Sequence, residues 1–159
     1  QDLLLLGDGK GGFADRTAEL GAYFALKRVS RGAAFGDYDN DGDVDVVIVN
    51  NEVDGRPVLL RNDQQGGNSL TIRVLGPEGS PDPIGARVEV EAGGRVQTRE
   101  IQRVRSFLSS SDVRAHVGLG AATVAKRVSV RWPGGAQREL LDVPANQILT
   151  IQQGKGETP

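Results

Sequence analysis

The stretch GDYDNDGDVDVVIV, Gly36 to Val49, places an acidic loop directly before a run of β-branched residues. Its aspartates stand at alternate positions: Asp37, Asp39, Asp41, Asp43 and Asp45. Carboxylates held a few ångströms apart repel one another, so a folded loop of this kind needs a compensating positive charge. The β-branched run that follows is typical of a strand. The stretch therefore predicts a cation-binding loop that leads into a β-strand.

The spacing of these aspartates is that of a calcium loop. Calcium takes six to eight oxygens at about 2.3–2.6 Å, from side chains at loop positions 1, 3 and 5 and a backbone carbonyl at position 7. These positions hold Asp37, Asp39 and Asp41, followed by Asp43 as the carbonyl donor. Gly42 at position 6 permits the sharp turn. Magnesium fits less well because it retains several waters, so the predicted cofactor is Ca²⁺.

The loop departs from an EF-hand in two ways. Position 12 is Ile48, where an EF-hand carries a bidentate glutamate. The flanking sequences AAFG and VVIV are typical of strands rather than helices. We expect Asp45, at position 9, to replace the missing glutamate. The structural alternative is a solvated acidic turn without an ion, since aspartate and glycine both favour turns.

Composition and charge limit the class of protein. The chain has 159 residues, 22 of them glycine, with few aromatic residues, which is typical of short strands joined by tight turns. It has no cysteine, which excludes disulfides and thiolate metal sites. We find no apolar run long enough to span a bilayer and no signal-peptide pattern. The absence of methionine suggests a piece of a longer protein.

The charge divides the chain into two parts. Residues 1–67 carry a net charge of −5 and residues 68–159 a net charge of +3. Such a split indicates two surfaces of different character. It also argues against a general nucleic-acid-binding protein, whose domain would be far more basic.

The second part contains seven short strand candidates. Apolar and polar residues alternate in them, as in ARVEVE around Val88 and Val90 and in RVSVRW around Val128 and Val130. This period of two indicates one buried face and one solvated face, as in antiparallel sheets. We expect an all-β protein that ends in an antiparallel β-sandwich or β-barrel. Trp132 is predicted to lie in its core, with an exposed sugar-binding platform as the alternative.

The segment RGAAFGDYDNDGDVDVVIVNN resembles the FG-GAP (VCBS-type) repeat of integrin-like β-propellers. GDGKGGFADRT is similar to the end of a preceding repeat, and RPVLLRND to a later strand of the blade. The resemblance implies calcium held between two strands of a blade by the carboxylates of Asp37, Asp39, Asp41 and Asp45 and the carbonyl of Asp43. About one and a half repeats are present, whereas a propeller needs at least about four blades. The resemblance therefore implies the C-terminal end of a larger propeller protein, or a lone blade packed on the second part.

The second part resembles the ASPIC/UnbV domain, which typically follows FG-GAP repeats, as in cartilage acidic protein-like proteins. The motifs that carry the resemblance are PIGARV, HxGLG from His116, VxWPxG from Val130 and the ANQ triplet. RSFLSSSD departs from the glycine- and tyrosine-containing stretch of many relatives. The resemblance implies an FG-GAP-like segment at 1–67, an ASPIC/UnbV-like β domain at 68–154 and a flexible tail at 155–159. It also implies a secreted, periplasmic or cell-surface location.

A basic stretch in the second part is a candidate surface for an anionic ligand, either an acidic polysaccharide or an acidic protein. Its residues are Arg95, Arg99, Arg103 and Arg105. The structural alternative is a solvated sheet face. Stacking aromatic residues are almost absent from this stretch, which argues against single-stranded nucleic acid.

No catalytic residue is predicted. Ser109–Ser111, Asp112 and His116 supply the residue types of a triad, but a triad is recognised by geometry, which proximity in sequence does not provide. We expect a non-enzymatic, calcium-binding extracytoplasmic recognition or adhesion module. The alternatives are an enzyme or enzyme-accessory domain with a site near His116, and a structural end-cap of a propeller without a ligand of its own.

Overall fold

A computed structural model describes residues 2–51, 55–63, 66–77 and 82–154. Short strands joined by turns make up most of these residues, and two short 3₁₀ helices are the helical elements among them. The predicted all-β class is confirmed. The predicted flexible tail, residues 155–159, lies outside the described residues.

The first part consists of a small hairpin and a three-stranded sheet. Its strands are β1 (Leu5–Gly7), β2 (Phe13–Asp15), β3 (Ser30–Gly36), β4 (Asp45–Asn50) and β5 (Val58–Leu60). The 3₁₀ helices Thr17–Glu19 and Ala22–Ala25 connect β2 to β3. β1 pairs with β2, and β4 lies between β3 and β5 with both pairings antiparallel. The aspartate loop is therefore the connection of the β3–β4 hairpin.

The second part consists of two larger sheets and a short hairpin. Its strands are β6 (Asn68–Leu75), β7 (Arg87–Ala92), β8 (Arg95–Glu100), β9 (Val104–Ser106), β10 (Ser109–Ser110), β11 (Ala115–Gly120), β12 (Val124–Arg131), β13 (Gln137–Pro144) and β14 (Gln147–Gln152). The sheet orders are β11-β6-β14 and β13-β12-β7-β8, and β9 pairs with β10. No sheet of the described residues closes into a barrel, so of the two predicted architectures only the sandwich remains.

One continuous core joins the two larger sheets. Val88, Val90, Val128 and Val130 are all at most 1% exposed, as their alternation with polar residues predicts. Trp132 is 2% exposed, which confirms its place in the core and excludes the alternative of a sugar-binding platform.

Strand β14 departs from the antiparallel pattern because it pairs with β6 in parallel. A parallel pair needs a long crossover connection. Here the chain leaves β6, builds the larger sheet and β11, and returns to the free edge of β6. The sequence of each strand alone contains no signal for this return.

The β9–β10 hairpin and the residues after it attach the second part to β3. Ala33 donates its backbone N–H to Ser109 Oγ at 3.0 Å, and the Asp112 N–H donates to the Phe35 carbonyl at 2.8 Å. Gly32 permits the close approach, since a Cβ there would lie 2.7 Å from the Leu108 carbonyl oxygen. These contacts place the second part beside the aspartate loop.

Candidate metal centre and the adjoining cavity

Three of the predicted metal ligands come together at the end of the β3–β4 hairpin. Carboxylate oxygens of Asp37, Asp39 and Asp45 all lie within 4.8 Å of one another. Asp37 and Asp45 are 5% and 2% exposed. Two oxygens that bind one calcium ion at about 2.3–2.6 Å are at most about 5 Å apart. The spacing and the all-oxygen character of these side chains therefore fit a calcium ion.

Asp37 is fixed in this position by the backbone of its own loop. Its Oδ1 and Oδ2 accept the N–H groups of Asp41 and Gly42, both at 3.1 Å. Gly42 has a φ of 98°, a left-handed conformation that glycine adopts without strain. The Gly42 carbonyl in turn accepts a hydrogen bond from Ser69 Oγ at 3.0 Å, which ties the loop to the start of β6.

Asp45 is held by two backbone donors. Its Oδ2 accepts the N–H of Tyr38 at 3.0 Å, and its Oδ1 accepts the N–H of Asn62 at 2.8 Å. The buried carboxylate thus joins the loop to the segment that follows β5. These bonds orient the Asp45 side chain toward Asp37 and Asp39 without cancelling the charge they share.

Asp41 and Asp43 are not part of the three-residue group. The carboxylate of Asp41 accepts the N–H of Asp43 at 2.9 Å. Arg61 lies at the edge of the group, with its Nη1 3.9 Å from Asp39 Oδ2 and its Nη2 2.6 Å from Asp63 Oδ1. Because Arg61 is shared with Asp63, it compensates only part of the loop's negative charge.

Arg114 links the loop to the second part. Its Nε donates to Asp112 Oδ2 at 2.6 Å, its Nη1 to Asn40 Oδ1 at 2.7 Å and its Nη2 to the Asp37 carbonyl at 2.7 Å. Arg114 is not among the site residues predicted from the sequence. Nothing in the spacing could have linked it to residues more than 70 positions away.

We expect Arg114→Met to lower the free energy of unfolding by about 2–3 kcal/mol, because charge-assisted hydrogen bonds of a largely buried guanidinium are lost. The Arg114 side chain is 19% exposed, and methionine keeps much of its apolar stem. Calcium affinity should fall too, since Asn40 and Asp37 lose a shared donor. Urea unfolding and calcium titration measure the two effects. Arg131→Met, at an exposed position of β12, is the control and should change neither.

A cavity of about 220 Å³ lies beside the loop, between β3 and the second part. Strand β3 and the loop contribute Phe35, Gly36, Asp37 and Val44, and the second part contributes Thr71, Arg99, Arg105, Ser111, Asp112, Arg114 and His116. The cavity is therefore lined by both parts of the chain and by one of the candidate metal ligands.

The cavity brings together two of the four arginines predicted as an anionic-ligand surface. Arg99 and Arg105 line it, whereas Arg95 and Arg103 do not. Arg103 instead forms an ion pair with Asp82, with 2.7 Å between its Nη2 and Asp82 Oδ2. The predicted continuous surface is thus divided.

His116 lies in β11 with its Nδ1 3.2 Å from Thr71 Oγ1. Burial lowers its pKa, an effect that the carboxylates of Asp37 and Asp43 oppose. The neutral imidazole is accordingly favoured at neutral pH.

The serines near His116 are engaged in structural contacts. Ser109 Oγ donates to the Phe107 carbonyl at 2.9 Å, and Ser111 Oγ accepts the N–H of Phe35 at 3.2 Å. In residues 82–154, which contain the whole group, no hydrogen bond joins His116 to a serine or to Asp112. The cavity has the concave form that a catalytic site would need, but lacks the serine–histidine pair.

Comparison with known protein families shows that residues 76–158 match the sequence model of the family described as ASPIC and UnbV. The match begins after β6, although β6 is the central strand of the smaller sheet. No curated protein matches the chain. Among the described residues, no helix has the length and apolar character needed to cross a membrane.

Proposed function

The chain belongs to the ASPIC and UnbV family, and we propose on that premise that it is a calcium-binding recognition or adhesion module outside the cytoplasm. The observation that carries the proposal is the group of three carboxylates within 4.8 Å, two of which are buried. At an effective dielectric constant of 20, two such charges repel by about 3–4 kcal/mol. A bound divalent cation would offset this repulsion.

We assign the ligand roles to Asp37, Asp39 and Asp45, with Asp41 and Asp43 at the remaining acidic positions of the loop. The cation would supply electrostatic stabilisation, not chemistry. The residues of the loop orient the ligand carboxylates: backbone N–H groups of the loop hold Asp37, and the Tyr38 N–H holds Asp45. Recognition would then occur on a surface whose shape depends on this ordered loop.

We also propose that residues 1–67 form an FG-GAP-type blade of a larger propeller. Support comes from the meander β3-β4-β5, which carries the loop between two adjacent strands. Leu3, Leu5, Leu6 and Phe13 are 53–72% exposed, and an apolar surface of this kind fits a contact with another blade. The same observation supports the second candidate function, a structural end-cap of such a propeller.

A non-catalytic role is supported by the geometry around His116. The Ser109 and Ser111 hydroxyls bond to the backbone, and the Asp112 carboxylate is bound by Arg114. An enzyme that used one of these serines as a nucleophile with His116 as its base would have to rearrange these contacts.

Isothermal titration of the protein with calcium tests the proposed function. We expect one site, a much weaker response to magnesium, and loss of the calcium heat in Asp37→Asn. Asp142→Asn, at an exposed position of β13 far along the chain from the loop, is the matched control and should retain the site. Absence of calcium binding by the folded wild-type protein would refute the metal role.

A further inference from the structure

We propose that the cavity between β3 and the second part binds a uronate, the carboxylate-bearing sugar unit of an acidic polysaccharide. This inference deepens the proposed recognition function and rests on it only in requiring an ordered loop. It concerns Phe35, Arg99, Arg105, Ser111 and His116, which line one cavity of about 220 Å³. Ligand pockets commonly measure about 300–1,000 Å³, so this smaller space suits a single sugar unit better than an extended chain.

Arg99 supplies a positive charge in a fixed orientation. Its Nε donates to the His116 carbonyl at 3.2 Å, its Nη1 to the Thr98 carbonyl at 3.0 Å and its Nη2 to Gln97 Oε1 at 3.2 Å. All three acceptors are neutral, so they hold the guanidinium without cancelling its charge. An arginine has five N–H donors, and two therefore remain for a ligand.

Arg105 adds a second charge at the exposed side of the cavity. Its Nη2 donates to the Glu100 carbonyl at 3.3 Å, again a neutral acceptor. Within the described ranges, neither Arg99 nor Arg105 takes part in a salt bridge. Two arginines without carboxylate partners at one cavity favour a planar anion, because guanidinium and carboxylate groups form paired hydrogen bonds.

The remaining wall favours a sugar over an acidic side chain. Phe35 lines the cavity and is 50% exposed, and it offers an aromatic surface to the apolar face of a sugar ring. Ser111, Thr71 and the partly buried His116 offer hydroxyl and imidazole groups for sugar hydroxyls. One aromatic ring beside several hydrogen-bonding side chains suits a sugar, which presents an apolar ring face and polar hydroxyl groups.

The acidic loop forms one side of the same cavity through Gly36 and Asp37. Arg114 bonds to the Asp37 carbonyl and also lines the cavity, so the order of the loop affects the shape of the site. Calcium should therefore increase uronate affinity, because the ion also cancels negative charge next to an anion site.

The test uses calcium-saturated protein and methyl β-D-glucuronide, with methyl β-D-glucoside as the neutral ligand of the same shape. We expect the glucuronide to bind in isothermal titration and the glucoside to bind at least about tenfold more weakly. Arg99→Gln and Arg105→Gln should each weaken glucuronide binding by about tenfold or more. Arg95→Gln is the matched control, because Arg95 is an exposed arginine of the same strand β8 outside the cavity.

The outcomes separate this inference from the proposed function. Glucuronide that fails to bind to protein shown by titration to be loaded with calcium would overturn the uronate site and leave the metal role intact. Equal binding of the glucoside, or binding of triglutamate in place of the glucuronide, would overturn the assignment to a uronate. Glucuronide binding by protein that takes up no calcium would support the cavity and refute the metal role.

Discussion

Chelation of calcium with EGTA is expected to lower the thermal midpoint of unfolding by about 5–10 °C, and excess calcium should restore it. A ligand at one hundred times its dissociation constant stabilises the native state by about 2.7 kcal/mol. In a domain of 150–250 residues, 1 kcal/mol shifts the midpoint by about 2–4 °C. Differential scanning calorimetry with and without EGTA measures the shift. Superimposable curves from a calcium-saturated and a chelated sample would contradict the proposal.

Asp39→Asn is expected to lower stability in calcium but not in EGTA. Asp39 is the member of the group with no backbone hydrogen bond to its carboxylate among the described contacts. In calcium the variant should be less stable than the wild type, because a charged ligand is lost. In EGTA it should be at least as stable, because one repulsive charge is removed. Asp142→Asn, an exposed residue with a φ of 51° that asparagine also tolerates, is the control. A variant destabilised equally in both buffers would indicate a purely structural role.

Trp132→Ala is expected to lower the free energy of unfolding by about 3–5 kcal/mol. Trp132 follows β12 of the larger sheet, and its Nε1 donates to the carbonyl of Leu75, in β6 of the smaller sheet, at 2.9 Å. The substitution thus leaves a cavity between the sheets and removes one of two hydrogen bonds to the Leu75 carbonyl, which also accepts the N–H of Gln153 at 3.1 Å. Urea unfolding measures the loss, which is a large fraction of a typical stability of about 5–15 kcal/mol.

Trp132→Phe separates the two contributions and remains testable if the alanine variant fails to fold. It keeps an aromatic ring and loses the hydrogen bond, so we expect a smaller loss of about 1–3 kcal/mol. A phenylalanine variant as stable as the wild type would show that the bond to Leu75 contributes little.

The elements that could be predicted from the sequence are those encoded locally. The acidic loop is nine residues long and its turn depends on Gly42, and the flanking sequences AAFG and VVIV placed it between two strands. Val88 and Val90 alternate with charged residues within one strand, so period two identified their buried face. In both cases the residues that determine the structure are neighbours in sequence.

The parts that could not be predicted depend on contacts between distant residues. Arg95 and Arg99 look equivalent in the sequence, yet four residues of strand separate them by about 13 Å, and only Arg99 reaches the cavity. Arg103 follows the end of β8, where Asp82 neutralises it. The bond from Arg114 to the Asp37 carbonyl exists only because the β9–β10 hairpin docks on β3. No pattern among neighbouring residues of the sequence predicts that docking.

The parallel pairing of β6 with β14 has a consequence for the order in which the chain folds. The Ser69 N–H bonds to Asn146, a residue 77 positions later, and contacts between such distant residues form slowly. On the ribosome, β6 would emerge with Leu70 and Ile72 uncovered and would wait for the last strand before its sheet was complete. The β3–β4 hairpin, in contrast, pairs residues that are close in sequence, and such contacts form quickly. Nascent chains should therefore form the β3–β4 hairpin first and the β6–β14 pair last. The interval before β14 emerges is then the period in which the chain is most prone to aggregate.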